Sequence, residues 1–162
     1  MSTLNLIEIV QNKFPDLILS SHDQCGDQTV VIRKEGIATL AKYLKYDPQL
    51  EFNMLMDLTA VDYLKMKQTP RFEVVYHFYS LVKNHRLRVK VPLDEKDLEV
   101  DTLTELWPAA NWFEREVWDM FGVRFKGHPD LKRILMYEEF QGHPLRKDYP
   151  HNKRQPLIGP KN

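Results

Sequence analysis

A single cysteine, Cys25, stands in a chain of 162 residues. One thiol excludes an intramolecular disulfide, and it cannot alone hold an iron–sulfur cluster, which usually takes four thiolates. Its isolation fits a reducing compartment. Glycine is also scarce, at six residues. None of them forms a strand–GxGxxG–helix unit or a phosphate-cradling loop, which argues against nucleotide binding by this chain. Long apolar runs are absent. No window approaches the roughly eighteen residues of a membrane-spanning helix. The opening MSTLNLIEIVQNKF has no basic region leading into an apolar core and no Arg-rich stretch, so neither a secretory signal nor a transit peptide is read there. Formal net charge is zero, so bulk charge selects neither an acidic nor a basic partner.

What is present is the composition of an ordinary globular domain, 43% hydrophobic and 28% charged, in a chain long enough for one core of its own. The charge is unevenly placed. Residues 124–162 hold nine Lys/Arg and four Asp/Glu, a net +5, and residues 1–123 hold fourteen and nineteen, a net −5. A slightly acidic body therefore carries a basic C-terminal segment.

The periodicity predicts an α+β fold with a mixed or largely antiparallel sheet. Ser2 and Thr3 are candidate caps for a first helix with Leu6, Ile9, Val10 and Phe14 on one side. Segments 17–20 and 29–33 read as strands around the turn at Gly26-Asp27. A second helix over 36–46 places Ile37, Leu40, Ala41 and Leu44 together. Strands follow at 52–63, 71–82 and 86–91, the last alternating Leu87, Val89 and Val91 with Arg88 and Lys90. Segment 94–101 reads as a loop, and 102–107 as a short helical turn. NWFEREVWDMFG at 111–122 is the strongest local signal. Asn111 and Glu114 have capping-box spacing, and Gly122 suits the left-handed position at a helix end. Phe113, Val117, Met120 and Phe121 share one face, with Arg115, Glu116 and Asp119 opposite and Arg115–Asp119 spaced for a helical ion pair.

Beyond Gly122 the periodicity fades. The reading divides the chain into an α+β domain at 1–122 and an extended segment at 123–162, with LIGPKN at its end expected to be mobile. Nearly forty irregular residues are unusual in a compact domain, and such stretches are commonly functional. Phe125, Leu131, Ile134, Leu135, Tyr137, Phe140, Leu145 and Tyr149 give this one apolar anchors, so it wraps either its own domain or a neighbour. Gly-His-Pro occurs in it twice, at 127–129 and 142–144, each copy followed by a basic pair.

Four chemistries come into question: metal binding, acid–base catalysis, nucleotide binding (set aside above) and nucleic-acid binding. His128, His143 and His151 lie near several carboxylates, but their spacing matches no compact zinc pattern. A stand-alone metal-dependent hydrolase built on them is the rival reading. Glu114, Glu116 and Asp119 form a carboxylate group, yet capping and helix-face pairing account for them without catalysis. The basic segment with Tyr137, Phe140 and Tyr149 interleaved can track phosphates, although the acidic body would repel a polyanion. No catalytic residue, cofactor site, metal site or nucleic-acid partner is assigned.

The order of residues is more specific. Glu114-Arg115-Glu116, then Asp119-Met120-Phe121, His128, Lys132 and Ile134-Leu135, followed by HPLRKDYP at 143–150, resembles the 30-kilodalton-type (C-type) subunit family of proton-pumping NADH:quinone oxidoreductase (respiratory complex I). DLTAVDY at 57–63 and WPAANWFERE at 107–116 are similar to it as well. The resemblance covers about residues 50–150. It implies a separate peripheral-arm subunit on the cytoplasmic side of the bacterial inner membrane, tied to the membrane only through the complex. It implies docking on the hydrogenase-like, D-type quinone-site subunit, near the B-type and I-type iron–sulfur subunits. FMN and the iron–sulfur clusters would lie in partner subunits, with no cofactor here. Related subunits occur in energy-converting hydrogenases and formate hydrogenlyase. The first motif nominates Glu114, Arg115, Glu116, Asp119, His128, Lys132 and Arg133 as partner-binding, and the second nominates His143, Arg146, Lys147, Asp148 and Tyr149. Arg146 and Lys147 are expected to meet carboxylates of the neighbour, and removal of 127–162 to abolish assembly while leaving the domain folded.

Overall fold

A computed structural model describes residues 4–66 and 69–156. Ser2, Thr3 and the closing LIGPKN lie outside the described residues. Helix α1 (Leu6–Lys13) is capped by Asn5, whose side chain accepts the Glu8 amide. Strands β1 (Ile18–Gln24) and β2 (Asp27–Ile32) are longer than their sequence pattern suggests. They join at Cys25 and Gly26, with φ of +59° and +79°, the left-handed pair that matches strand twist in a tight hairpin. Helix α2 (Ile37–Tyr46) follows, then β3 (Met54–Asp62), β4 (Phe72–Ser80) and β5 (His85–Leu93).

All five strands form one mixed sheet in the order β1-β2-β5-β4-β3. Every pairing is antiparallel except β2 with β5, which runs parallel through Thr29–Arg88, Val30–Val89 and Val31–Lys90. Alternation along β5 buries Leu87, Val89, Val91 and Leu93. On that face Phe72, Val74, Tyr76 and Phe78 of β4 pack with Leu6 and Val10 of α1, Leu40 and Leu44 of α2, and residues of a third helix. The α+β fold with a mixed sheet is thus as the sequence implied, with the two strand groups fused by the β2–β5 crossover.

Two strands were not legible. β6 (Glu99–Asp101) falls in the stretch read as a loop, and β7 (Arg124–Lys126) falls beyond Gly122. They pair in parallel, with Val100 opposite Phe125, both buried. Three-residue strands are too short to show a period. The third helix, α3 (Ala110–Phe121), begins at Ala109 without a side-chain cap. The capping box expected of Asn111 and Glu114 is therefore not formed: Asn111 is already inside the helix, and Glu114 turns into the core. Gly122 does end the helix, at φ +81°.

Candidate functional site

Residues 127–156 contain no helix or strand, so their backbone groups need other partners. Helix α3 supplies many of them. The last four carbonyls of a helix have no intrahelical donor. Here the Gly122 amide donates to Trp118 O at 2.8 Å and the Leu145 amide to Met120 O at 3.0 Å. His143 Nδ1 donates to Asp119 O at 3.0 Å, and Arg146 Nε to Phe121 O at 2.6 Å. The irregular segment is thus a strap that caps α3, and a guanidinium at that negative helix end is favourable.

Two buried carboxylates grip the strap. Asp119 has no exposed surface. Its Oδ2 accepts the consecutive amides of Ile134, Leu135 and Met136 at 3.1, 2.9 and 2.9 Å. Its Oδ1 accepts Arg133, which also donates to the carbonyls of Phe140 and Gly142 at 2.7 and 3.1 Å. Burial pushes the Asp119 carboxyl up, but the Met136 amide, Arg133 and the other two amides outweigh it and hold it below the usual carboxylate range. Asp62, at the end of β3, accepts Arg71 through two bonds of 2.9 and 2.8 Å, the Leu64 amide at 2.9 Å and the Lys147 amide at 2.8 Å. Against the upward push of burial, Arg71 and those amides bring it down to about 2. Arg71 further pairs with Glu95 at 2.6 Å and Asp148 at 2.9 Å. One guanidinium therefore ties the sheet, the β5–β6 loop and the strap together.

The two Gly-His-Pro copies now have a physical meaning. Gly127 and Gly142 both take positive φ, +83° and +96°. His128 sits at the N-terminal end of α3, with Nε2 3.1 Å from Asn111 O and Nδ1 accepting the Asp130 amide at 3.0 Å. His143 sits at the other end, on Asp119 O. The repeat fastens the strap to both ends of one helix. Among the described residues no three His, Cys, Asp or Glu side chains are grouped so as to hold a metal ion.

The nominated residues divide into two sets. Glu114 and Asp119, expected at a partner surface, are wholly inside the chain. Asp119 pairs with Arg133, not with Arg115, whose guanidinium donates to the carbonyls of Lys132 and Arg133 at 3.1 and 2.9 Å. Arg146, expected to reach a neighbour's carboxylate, bonds to Phe121 O and lies 5.3 Å from the Phe72 ring centre. The helix face read as wet is covered at Arg115 and Asp119 but not at Glu116, because the strap supplies partners to the first two that local spacing cannot reveal. Glu116, Lys132, Lys147 and Asp148 are exposed, with Lys132 on Asp130 at 2.8 Å. Tyr149 stacks on Phe140 at 6.0 Å and is half-buried. Sequence reasoning missed Asp62 and Arg71 as strap anchors. The only trace of Asp62 was the similarity of 57–63 to a family pattern, and Arg71 was only the first residue of the strand read at 71–82. Trp112, Leu135 and Leu145 are exposed at 63%, 56% and 50%, and they supply apolar contact area outside the core.

Gly122 is a point of close approach. A Cβ there would lie 2.6 Å from Arg146 Nη2 and 2.7 Å from His143 Nε2. Gly122→Ala is expected to cost about 1–2 kcal/mol for the left-handed conformation alone and to push the strap outward. Thermal unfolding, with tryptic cleavage after Lys147 as a second readout, checks this. An unchanged melting temperature and cleavage rate would refute it.

The profile of the family described as "Respiratory-chain NADH dehydrogenase, 30 Kd subunit" matches residues 30–155. The chain belongs to the respiratory-chain NADH dehydrogenase 30 kDa subunit family. The match runs from β2 to the end of the strap, so this family's shared pattern includes the irregular segment. The C subunit of the NADH-quinone oxidoreductase of Geotalea uraniireducens is 48% identical over 141 residues, which is 87% of this chain and 84% of that protein. Its counterpart in Roseiflexus castenholzii is 50% identical over 141 residues, 87% and 80% of the two chains. Among solved structures, the trypsin-resistant fragment (1–134) of Nqo5 is 33% identical, with a TM-score of 0.69 over 79% of this chain and all of that one. A chain of the archaeal membrane-bound sulfane sulfur reductase shares the fold, with a TM-score of 0.72 at 23% identity over 91% of this chain and 85% of that one. Homologues of this 30 kDa subunit family member are thus subunits of an enzyme complex. No helix among its own described residues is long and apolar enough to cross a membrane.

Proposed function

We propose that this chain is a cofactor-free peripheral-arm subunit of a proton-pumping NADH:quinone oxidoreductase. It docks on the hydrogenase-like, D-type quinone-site subunit beside the B-type and I-type subunits, on the cytoplasmic side of the bacterial inner membrane. FMN and the iron–sulfur clusters reside in partner subunits, and this chain supports assembly and the electron path from NADH to quinone without reacting groups of its own.

The observation that carries this reading is the strap. An irregular stretch held by buried carboxylates is a costly structure for a domain to keep, and such segments usually serve recognition. Its inward side is satisfied by the chain itself. Its outward side offers Lys132, Lys147 and Asp148, with Leu135, Leu145 and the neighbouring Trp112 as apolar anchors. Interface centres favour such aromatic and aliphatic residues within a polar rim. Asp119, Arg133 and Arg146 act from within by shaping that surface, while Glu114 holds the 102–104 turn.

Affinity purification of a tagged chain from its native membranes tests the proposal. The expected result is recovery of flavin- and iron–sulfur-bearing subunits with NADH:quinone activity. Recovery of the chain alone, or with hydrogenase subunits and no flavin, would overturn it.

A further inference from the structure

Four acidic side chains are buried among the described residues: Asp62, Glu73, Glu114 and Asp119. Three of them face a cation. Asp62 meets Arg71, Glu73 meets Lys90 at 3.0 Å, and Asp119 meets Arg133. Glu114 has no exposed surface, and its hydrogen-bond partners are neutral. The Leu103 amide donates to Oε1 at 2.7 Å, and the Thr102 hydroxyl contacts Oε2.

The surrounding elements bring it no compensating charge. From β4 comes the Tyr76 hydroxyl, fully buried and without a hydrogen-bond partner. From β6 comes Asp101, a second acid. Asp62 of β3 is closed by Arg71. On α3 itself Arg115 is spent on strap carbonyls, Glu116 is exposed, and Asp119 is closed by Arg133. Lys45 of α2 donates to the Leu106 carbonyl, and Arg124 and Lys126 of β7 are exposed. Glu105, in the turn before α3, is exposed too. His128, from the strap, is held on Asn111 O. A carboxylate in this setting bears the full desolvation cost of a lone ion, and a neutral acid does not.

We propose that Glu114 is a proton-binding site: the folded chain holds it as a neutral acid, and its ionisation unfastens the 102–104 turn and the β6–β7 ribbon from α3. The proton has a defined place. Oε1 is already taken by the Leu103 amide, so Oε2 carries the hydrogen and donates to Thr102 Oγ1. That hydroxyl passes its own hydrogen to Thr104 Oγ1, 3.1 Å away, while accepting the Thr104 amide at 3.2 Å. Burial pushes the carboxyl from its ordinary 4.5 up to about 7, against the opposing pull of the Leu103 amide and Thr102. A carboxyl raised on folding contributes stability that is full below its unfolded value and lost as pH rises through the folded one. The loss therefore falls between about pH 4.5 and 7, with the joint released above that range. Because α3 also carries Asp119 and the carbonyls that hold the strap, release at its first half is transmitted to the strap.

The test uses the full chain. The Glu114 side-chain carboxyl carbon is followed by NMR from pH 5 to 9, with thermal unfolding of the native chain and Glu114→Gln over the same range. Glutamine keeps an oxygen for Leu103 and an amide for Thr102 Oγ1. The expected result is a carboxyl that titrates near neutrality, a native melting temperature that falls from pH 5 up to about 7 and levels off above it, and a variant that lacks this fall. A carboxyl already ionised at pH 5 overturns the proposal, as does a variant with the native pH dependence. The NMR titration is read on the native chain and decides the question even if the variant does not fold.

Discussion

Replacement of Asp119 by alanine is expected to destabilise the chain by about 3–5 kcal/mol, the usual cost of removing one partner of a buried pair. Arg133 would lose its counter-ion while its side chain is only 12% exposed. The amides of Ile134, Leu135 and Met136 would lose their common acceptor. These losses do not simply add, because the strap can let go and return its amides to water. Release is the cheaper path, so the variant is expected to unfold in two stages, strap before body. Asp119→Asn keeps an oxygen for the amides but removes the charge opposite Arg133, and its loss should be intermediate. Thermal unfolding with limited trypsin digestion measures both. Cleavage after Lys132 and Arg133 should accelerate in the alanine variant well below its global transition. An Asp119→Ala chain that melts and digests like the native one would remove the main support for the strap.

The second large effect is expected at Arg71. Its side chain closes Asp62, which has no exposed side-chain surface, and reaches Glu95 and Asp148 as well. Arg71→Ala leaves a buried carboxylate served only by two amides, and a loss of about 3–5 kcal/mol follows from the same reasoning. The informative comparison is with Arg71→Met combined with Asp62→Asn. Replacing both partners removes the orphaned charge, so the double variant is expected to be more stable than Arg71→Ala alone. Urea unfolding of the set checks this, and a double variant as unstable as the sum of its singles would contradict it. Acid gives an independent check. Folding lowers the Asp62 carboxyl from its ordinary 3.8 to about 2. A lowered carboxyl contributes stability that is present above the unfolded value and lost as pH falls through the folded one. The Lys147 amide resonance should therefore shift as pH drops from about 4 towards 2.

How far the sequence reached depended on the range of the interaction. α2 and β5 carry their buried faces in local periods, and Gly122 announces the helix end by its own conformational freedom. The parallel joint between β2 and β5 unites residues 59 apart in the chain, and nothing local marks it. β6 and β7 are too short to show alternation. The site was legible as a pattern but not as a geometry. Charged residues at Glu114 and Asp119 default to the wet face of a helix, and only the strap and the 102–104 turn, folded against them, make burial tolerable. In the same way the Gly-His-Pro repeat was visible at once, yet its spacing became meaningful when each histidine was seen to close one end of α3. Arg71 and Asp62 stood outside every motif read for chemistry, because their importance lies in meeting Lys147 and Asp148 from the far end of the chain.

The central claim is that the strap is bound to its own domain before any partner arrives. Hydrogen exchange on the isolated full chain at about pH 5.5, below the ionisation of Glu114, measures this directly. Strong protection is expected at the amides of Ile134, Leu135, Met136, Leu145 and Lys147, despite the absence of helix or strand around them. Exchange of those five amides at the rates of an unfolded peptide would contradict the account.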